Sequence, residues 1–163
     1  MTCSLCEVAI ALSLASGAAH AECDPTKPDP VALRYEFHAD TVYDKSTDLT
    51  WMRCSYGQQW SEASGCSGSV TLMDWDSAME LHSRADAAWR LPDRDELQSI
   101  VDHNCKRPAI NETVFPETAS IQYWTSTPSG PSFAWIVFFR TGMPTWTYQK
   151  TVQFAVRLVR SGR

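Results

Sequence analysis

The sequence predicts a single α+β domain in which two helices precede a set of antiparallel strands. Helix-start signals lie in the middle of the chain, at Asp74 and Asp93, and segments typical of β-strands dominate its C-terminal third. The chain has 163 residues, of which 44% are hydrophobic and 20% charged. This is the size and composition of one ordinary globular domain.

The chain is acidic, which limits its partners. It has 14 Lys and Arg against 19 Asp and Glu, a formal net charge of −5 at pH 7. Nucleic acids and anionic membrane surfaces are bound by neutralising phosphate, so neither is expected as a partner. The composition is unusual only in its 7 Trp and 6 Cys residues.

Residues 1–21 are predicted to be a signal peptide. An apolar run at residues 8–15 is followed by Ala19-His20-Ala21, which fits a signal-peptidase site. The run is shorter than the ~20 residues that cross a bilayer, so no membrane span is expected. The segment departs from the usual pattern because Glu7, and no Lys or Arg, precedes the run. The alternative is a buried or frayed N-terminal helix. Cleavage after Ala21 places the mature protein in the periplasm, outside the cell or on its surface.

The cysteines that remain after cleavage indicate two disulfides. They are Cys23, Cys54, Cys66 and Cys105, an even number in an exported protein. A short loop rich in Ser and Gly separates Cys54 from Cys66, which favours pairing these two and leaves Cys23 for Cys105. No C-x₂-C knuckle is present among them, and His38, His82 and His103 lack ligand spacing, so no metal or other cofactor is expected.

The first half of the predicted domain is mostly strand and loop. Residues 22–33 contain Pro25, Pro28 and Pro30 and are typical of an extended arm. Residues 34–161 form the predicted domain. Its first elements are strands at 34–37, 41–43 and 49–53, a turn at 44–48 and a polar loop at 55–70.

Two helices follow in the sequence. Asp74 is placed to cap a helix over residues 74–88, with Trp75, Ala78, Met79 and His82 on one face. Asp93 and Glu96 have capping-box spacing and begin a second helix, which is expected to end near Asn104.

Three strands are predicted in the C-terminal third. They are residues 121–126, the nearly wholly apolar residues 133–140, and residues 151–160. The last segment alternates: Val152, Phe154, Val156 and Leu158 face one way, and Gln153, Ala155 and Arg157 the other. Residues 141–150 are predicted to be a loop or an irregular hairpin.

The tryptophans divide into core and candidate binding residues. Five lie on apolar faces and are expected in the core: Trp51, Trp75, Trp89, Trp124 and Trp135. Trp60 and Trp146 lie in polar segments, where an exposed ring can stack on a sugar. Trp146 with Tyr148 is the preferred pair, and the alternative is that each ring folds back onto the domain.

The arginines allow two interpretations. Arg90 and Arg157 could recognise an anion, but a structural ion pair with a group such as Glu96, or a clamp on backbone carbonyls, is favoured. Arg140, Lys150 and Arg157 could form a basic edge suited to an acidic glycan. No catalytic group is predicted: Ser126 and Ser129 lie outside a G-x-S-x-G context, and the acidic pairs begin helices.

A series of short motifs follows a characteristic order along the chain. They include Asp48-Leu49-Thr50-Trp51-Met52-Arg53-Cys54, Trp75-Asp76-Ser77-Ala78, Trp89-Arg90-Leu91-Pro92, Glu96-Leu97-Gln98-Ser99-Ile100-Val101-Asp102, Tyr123-Trp124-Thr125-Ser126-Thr127, Ala134-Trp135 and Ala155-Val156-Arg157-Leu158-Val159-Arg160. Their order resembles the Lcl C-terminal domain family, a bacterial group named after a collagen-like adhesin. The resemblance covers about residues 35–160. Each piece alone is weakly specific, but their number and order are highly specific.

The resemblance implies a C-type-lectin-like mixed domain, similar also to the formylglycine-generating-enzyme fold, with long surface loops. The chain lacks the collagen-like G-x-y repeat of the named adhesin, whose domain is linked to sulfated glycosaminoglycans. It also lacks the calcium-site tripeptides E-P-N and W-N-D of sugar-binding C-type lectins.

The protein is expected to be exported and to act in non-catalytic binding or adhesion, with a glycan or a protein as its ligand. The loops at 127–132 and 141–150 are expected to carry the contact. Two alternatives remain open at this point: a structural subunit of a surface assembly, and an oxidase similar to formylglycine-generating enzymes, which act through a copper-binding Cys pair. The sequence leaves the oligomeric state undetermined.

Overall fold

A computed structural model describes residues 20–27, 31–81 and 89–163 of the chain. Most of the predicted signal peptide and the distal half of the first predicted helix, with His82, lie outside these residues. Within them the α+β class is confirmed. The helices are α1 Val31–Arg34, α2 Trp75–Met79 and α3 Arg94–Ser99. The strands are β1 Glu22–Cys23, β2 Tyr35–His38, β3 Thr41–Asp44, β4 Leu49–Met52, β5 Gln59–Ser61, β6 Gly65–Ser67, β7 Cys105–Lys106, β8 Gln122–Pro128, β9 Phe133–Phe138, β10 Met143–Gln149 and β11 Val159–Ser161.

The described strands form two larger antiparallel sheets and two small ribbons. The first sheet has the order β11-β4-β3-β2 and the second the order β10-β9-β8. The ribbons are β1-β7 and β5-β6. Both predicted disulfides are confirmed: Cys23–Cys105 joins directly opposed residues of the β1-β7 ribbon, and Cys54–Cys66 ties the β5-β6 ribbon to the end of β4.

The second sheet separates two hydrophobic cores. Successive side chains of a strand point to opposite faces. Tyr123 and Val137 therefore enter the first core, which lies against the first sheet and α3, while Trp124 and Ile136 enter the second, which lies against α2. Trp51 and Trp124 are fully buried and Trp89 nearly so, as predicted. Trp75 is only partly buried, because it lies at the border of the second core. Trp135 is also only partly buried and packs against neither core.

The segment at residues 154–159 differs from its prediction. Its alternation is real, with Phe154 and Leu158 in the second core and Ala155 and Val159 in the first. Both faces are buried, however, and only Val159–Ser161 is strand. The reason is that the backbone bonds in turn to several segments: Phe154 with Met73, the Leu158 carbonyl with the Met52 N–H, and Val159 with Arg90. No single neighbouring strand runs alongside it.

The helix starts are confirmed, and one helix end is not. Asp74 accepts a hydrogen bond from the Ser77 N–H, and Asp93 and Glu96 form the reciprocal capping box. Helix α3 ends at Ser99 rather than near Asn104. The Ser99 carbonyl accepts a hydrogen bond from the Arg34 guanidinium, so a tertiary contact takes up a carbonyl that a longer helix would use.

The two segments expected as loops contain strands. Residues 55–70 include the β5-β6 ribbon, and residues 143–149 form β10, so the hairpin alternative is the correct one for that segment. The turn between β9 and β10 is tight because Gly142, at φ +75°, packs its backbone against Val101 and Ala109.

Gly142→Ala is expected to destabilise the domain more than Gly130→Ala. Both glycines have positive φ, so each substitution carries a backbone strain of about 1–2 kcal/mol. A Cβ at residue 142 would lie 2.5 Å from Val101 Cγ1, whereas one at residue 130 meets nothing within 4 Å. Overpacking adds roughly 1–3 kcal/mol at Gly142 alone. Urea unfolding of the two variants measures the difference, and equal losses would contradict the steric account.

Candidate functional site

An exposed aromatic surface lies at the meeting of α3, β9 and β10. It consists of Trp135, Trp146 and Arg94, and we name it the aromatic ledge. Trp146 is 54% exposed, and its ring centroid lies 6.4 Å from that of Trp135. The Arg94 guanidinium lies over the Trp135 ring at 4.9 Å, and its Nε donates to Asp95 at 2.8 Å. The ledge therefore joins two indole rings to an exposed ion pair.

A β-bulge in β10 decides which side chains reach the ledge. Thr145 pairs with Ile136 and Tyr148 pairs with Ala134, so two residues of β10 oppose Trp135. Trp135 points away from the second core, because its neighbours Ala134 and Ile136 point into that core. The bulge places Trp146 on the same side as Trp135.

Tyr148 does not join Trp146, contrary to the preferred pair of the sequence analysis. Its ring packs edge-on against Phe154 of the second core, with centroids 5.0 Å apart. Tyr148 and Trp146 therefore lie on opposite faces of the sheet. The bulge is the reason, since strict alternation would put residues two apart on the same face.

The predicted basic edge does not form. Arg140 is exposed at the turn after β9, whereas Lys150 follows the far end of β10, with its Nζ 4.0 Å above the Trp75 ring. The seven residues of β10 separate the two by roughly 20 Å. Arg157 is fully buried and reaches no surface.

Arg157 forms the carbonyl clamp that the sequence analysis favoured. Its guanidinium donates to the Met52 carbonyl at 3.0 Å, to the Arg53 carbonyl, and to the hydroxyls of Ser55 at 3.3 Å and Thr118 at 2.7 Å. Burial lowers the pKa of Arg157 to about 10, against the opposing influence of the Tyr123 hydroxyl. The side chain joins the segment at residues 154–159 to the end of β4 and to the loop that follows it.

Arg90 forms the favoured ion pair with Glu96. The two guanidinium nitrogens donate to the two carboxylate oxygens at 2.7 and 2.6 Å, and the Asp93 N–H donates to one of them at 2.8 Å. Burial alone would raise the pKa of Glu96, but the hydrogen bonds from Arg90 and Asp93 outweigh it and hold that pKa below its usual value. The pair fixes α3 to Arg90, whose backbone forms an isolated antiparallel bridge with Val159.

Trp60 stands at the wall of a groove of about 310 Å³. The groove lies beside the end of β4 and is lined by Asp40, Met52, Cys54, Ser55, Tyr56, Gly57, Gln58, Trp60 and Leu158. Trp60 is half-buried, and the Arg53 guanidinium lies 3.9 Å from its ring centroid. The ring is thus partly folded back, as the alternative interpretation held, and it still lines a surface cavity. We name this cavity the Trp60 groove.

A larger depression of about 670 Å³ surrounds the Cys23–Cys105 disulfide and includes Arg140. Its charges are mixed, because Glu22 lies 3.9 Å from Lys106 and 3.4 Å from Arg107. In the described part of the chain, no three His, Cys, Asp or Glu side chains are grouped as metal ligands.

Sequence reasoning missed Arg94, Asp40 and Tyr56 as residues of these surfaces. Arg94 was visible only as the first residue of a helix, and Asp40 only as a polar residue between two strands. Nothing in their local pattern signals the tertiary contacts with Trp135 and the Trp60 groove.

A family model described as the Lcl C-terminal domain matches residues 40–160. The chain belongs to the Lcl C-terminal domain family. The match runs from the β2-β3 turn into β11, so it includes the second sheet, the first sheet except β2, the aromatic ledge and the Trp60 groove. A search of the curated proteins finds no match. Among the residues described for this Lcl C-terminal domain, no helix has the length and apolar character that crossing a membrane requires.

Arg157→Met is expected to cost about 3–5 kcal/mol of unfolding free energy, because it leaves buried carbonyls and hydroxyls without their donor. Arg160→Met is the matched control. Its side chain is only half-buried and lies over Trp89 at 5.3 Å, so a loss below about 1 kcal/mol is expected. Chemical denaturation at pH 7 provides the comparison. A loss for Arg157→Met no larger than for the control would contradict the clamp.

Glu96→Gln is expected to make the unfolding free energy of the domain less dependent on pH. Gln keeps the capping bond to the Asp93 N–H and removes only the charge facing Arg90. Because the pKa of Glu96 is lowered by folding, its contribution is present above the unfolded pKa and is lost as pH falls through the folded pKa. The variant should lose about 1–2 kcal/mol at pH 7. The difference in unfolding free energy between the wild-type protein and the variant should disappear as the pH falls through the pKa of Glu96 in the folded state. A difference that stays constant during a urea-unfolding pH series would contradict the assignment.

Proposed function

We propose that this member of the Lcl C-terminal domain family is an exported, non-catalytic binding domain that recognises a glycan with its aromatic ledge. The observation that carries the proposal is the exposure of Trp146 beside Trp135. A 54% exposed indole is costly in water, and exposed apolar surface of this kind marks binding sites.

The chemistry of the ledge suits a sugar. A pyranose ring has C–H faces that pack on an indole and a rim of hydroxyls that need hydrogen bonds. Trp146 and Trp135 supply two adjacent rings tilted by 59°, and Arg94 with Asp95 supplies donors and acceptors beside them. Such a surface favours a glycan over a purely apolar ligand.

The ledge is also held in place before any ligand arrives. Trp135 is on the central strand of the second sheet, and Trp146 is on its neighbour. The backbone N–H of Arg94 donates to Thr127 Oγ1 at 2.9 Å, which fixes the start of α3 against β8. A preorganised surface loses little conformational entropy on binding.

The disulfides support export and a binding role. Cys23, Cys54, Cys66 and Cys105 are all oxidised in pairs, as is typical of proteins that leave the cytoplasm. An oxidase that acts through a copper-binding Cys pair needs free thiols, so paired cysteines favour binding over that alternative. A thiol count on residues 22–163, without Cys3 and Cys6, tests this, since two free thiols there would support the oxidase.

Trp146→Ala is expected to weaken glycan binding about tenfold or more, because it removes roughly 1–2 kcal/mol of stacking. Met143→Ala is the matched control, since Met143 is 60% exposed on the same strand but pairs with Phe138, outside the ledge. A glycan array on the oxidised protein first identifies the ligand, and titration of both variants follows. Unchanged binding by Trp146→Ala, or an equal loss in Met143→Ala, would overturn the ledge as the site.

A further inference from the structure

The Trp60 groove has apolar walls and a single charged group. Met52, Leu158, Trp60 and Tyr56 line it with the disulfide sulfur of Cys54. Asp40 is the one charged residue in the lining. Its carboxylate makes no ion pair with any residue that the structure describes. The cavity therefore combines a hydrophobic interior with one exposed carboxylate that makes no direct ion pair with a described residue.

The acid is fixed at the rim by the backbone. Asp40 lies in the tight β2-β3 turn, next to Ala39 at φ +46°. The Arg53 N–H donates to the Asp40 carbonyl at 2.9 Å, and the Arg53 guanidinium donates to the Ala39 carbonyl at 3.1 Å. These bonds hold the turn, and with it the Asp40 backbone, against the end of β4.

The aromatic wall is equally well fixed. The Arg53 guanidinium lies between the rings of Trp60 at 3.9 Å and Phe37 at 4.9 Å, and donates to the Val114 carbonyl at 3.0 Å. Trp60 is directly opposite Cys66 in the β5-β6 ribbon, and the Cys54–Cys66 disulfide ties that ribbon to β4. The groove thus has preformed walls.

We propose that the Trp60 groove binds a lysine side chain of a protein partner. Its aliphatic chain would lie between Met52, Leu158 and Trp60. Its ammonium group would face the Asp40 carboxylate and the Tyr56 ring, since the Arg53 guanidinium already occupies a face of Trp60. A volume of about 310 Å³ holds one long side chain, and the net charge of −5 favours a basic partner. This site is separate from the aromatic ledge and does not depend on glycan binding.

The test uses two small probes on the oxidised protein. Nα-acetyl-lysine methylamide carries the ammonium group, and Nα-acetyl-norleucine methylamide keeps the aliphatic chain without it. NMR titration follows the indole N–H signal of Trp60, assigned with a Trp60→Phe variant. The lysine probe is expected to shift this signal saturably and to bind at least about fivefold more tightly than the norleucine probe.

Two charge-removing variants decide the role of Asp40. Asp40→Asn should weaken the lysine probe by at least about fivefold, whereas Glu62→Gln, in the exposed turn of the same ribbon and outside the groove, should leave it unchanged. No saturable shift, equal binding of both probes, or full binding by Asp40→Asn would each overturn the proposal. Trp146→Ala should not affect this titration, so failure here is distinguishable from failure of the glycan site.

Discussion

The fold depends on a buried positive charge that no carboxylate of the described residues neutralises. Arg157 is fully buried beside Phe115 of the first core, and the polar groups around its guanidinium are backbone carbonyls and hydroxyls. Removing a guanidinium from water is costly, and four hydrogen-bond partners together with the Phe115 ring at 4.9 Å offset that cost. Since the partners come from the end of β4 with the loop directly after it and from Thr118 before β8, the charge fixes two separate segments relative to residues 154–159.

This clamp is connected to both candidate surfaces. Arg53 gives its carbonyl to Arg157 and its own guanidinium to Trp60, so the same residue links the core to the Trp60 groove. On the other side of the molecule, the N–H and carbonyl of Arg90 bond to Val159 while its side chain holds Glu96 of α3, the helix that begins with Arg94. The surfaces are exposed, but their geometry is set by buried polar contacts.

Local patterns predicted the parts of the fold that local chemistry controls. The caps at Asp74 and Asp93, the hairpin strands and the Cys54–Cys66 pairing depend on neighbouring residues or on short loops, and the Cys23–Cys105 pairing follows from them by elimination. The segment at residues 154–159 was mistaken for an amphipathic strand because alternation is the same whether one face or both are buried. The bulge in β10, which separates Tyr148 from Trp146, has no sequence signal such as glycine. Arg157 was recognised as a clamp in principle, but not as fully buried, since its partners are backbone groups that any residue supplies.

The Cys23–Cys105 disulfide has a mechanical consequence. The β1-β7 ribbon contains only two residue pairs, and its hydrogen bonds would yield readily to a force applied along the N-terminal arm. The covalent bond lies within that ribbon, so tension on the arm passes through sulfur into β7 and the turn at Asp102, whose carbonyl accepts the Cys105 N–H at 3.1 Å. A pulled arm therefore transmits load to the body of the domain instead of peeling away from it. The strength of the attachment is that of a covalent bond, whatever the strength of the ribbon.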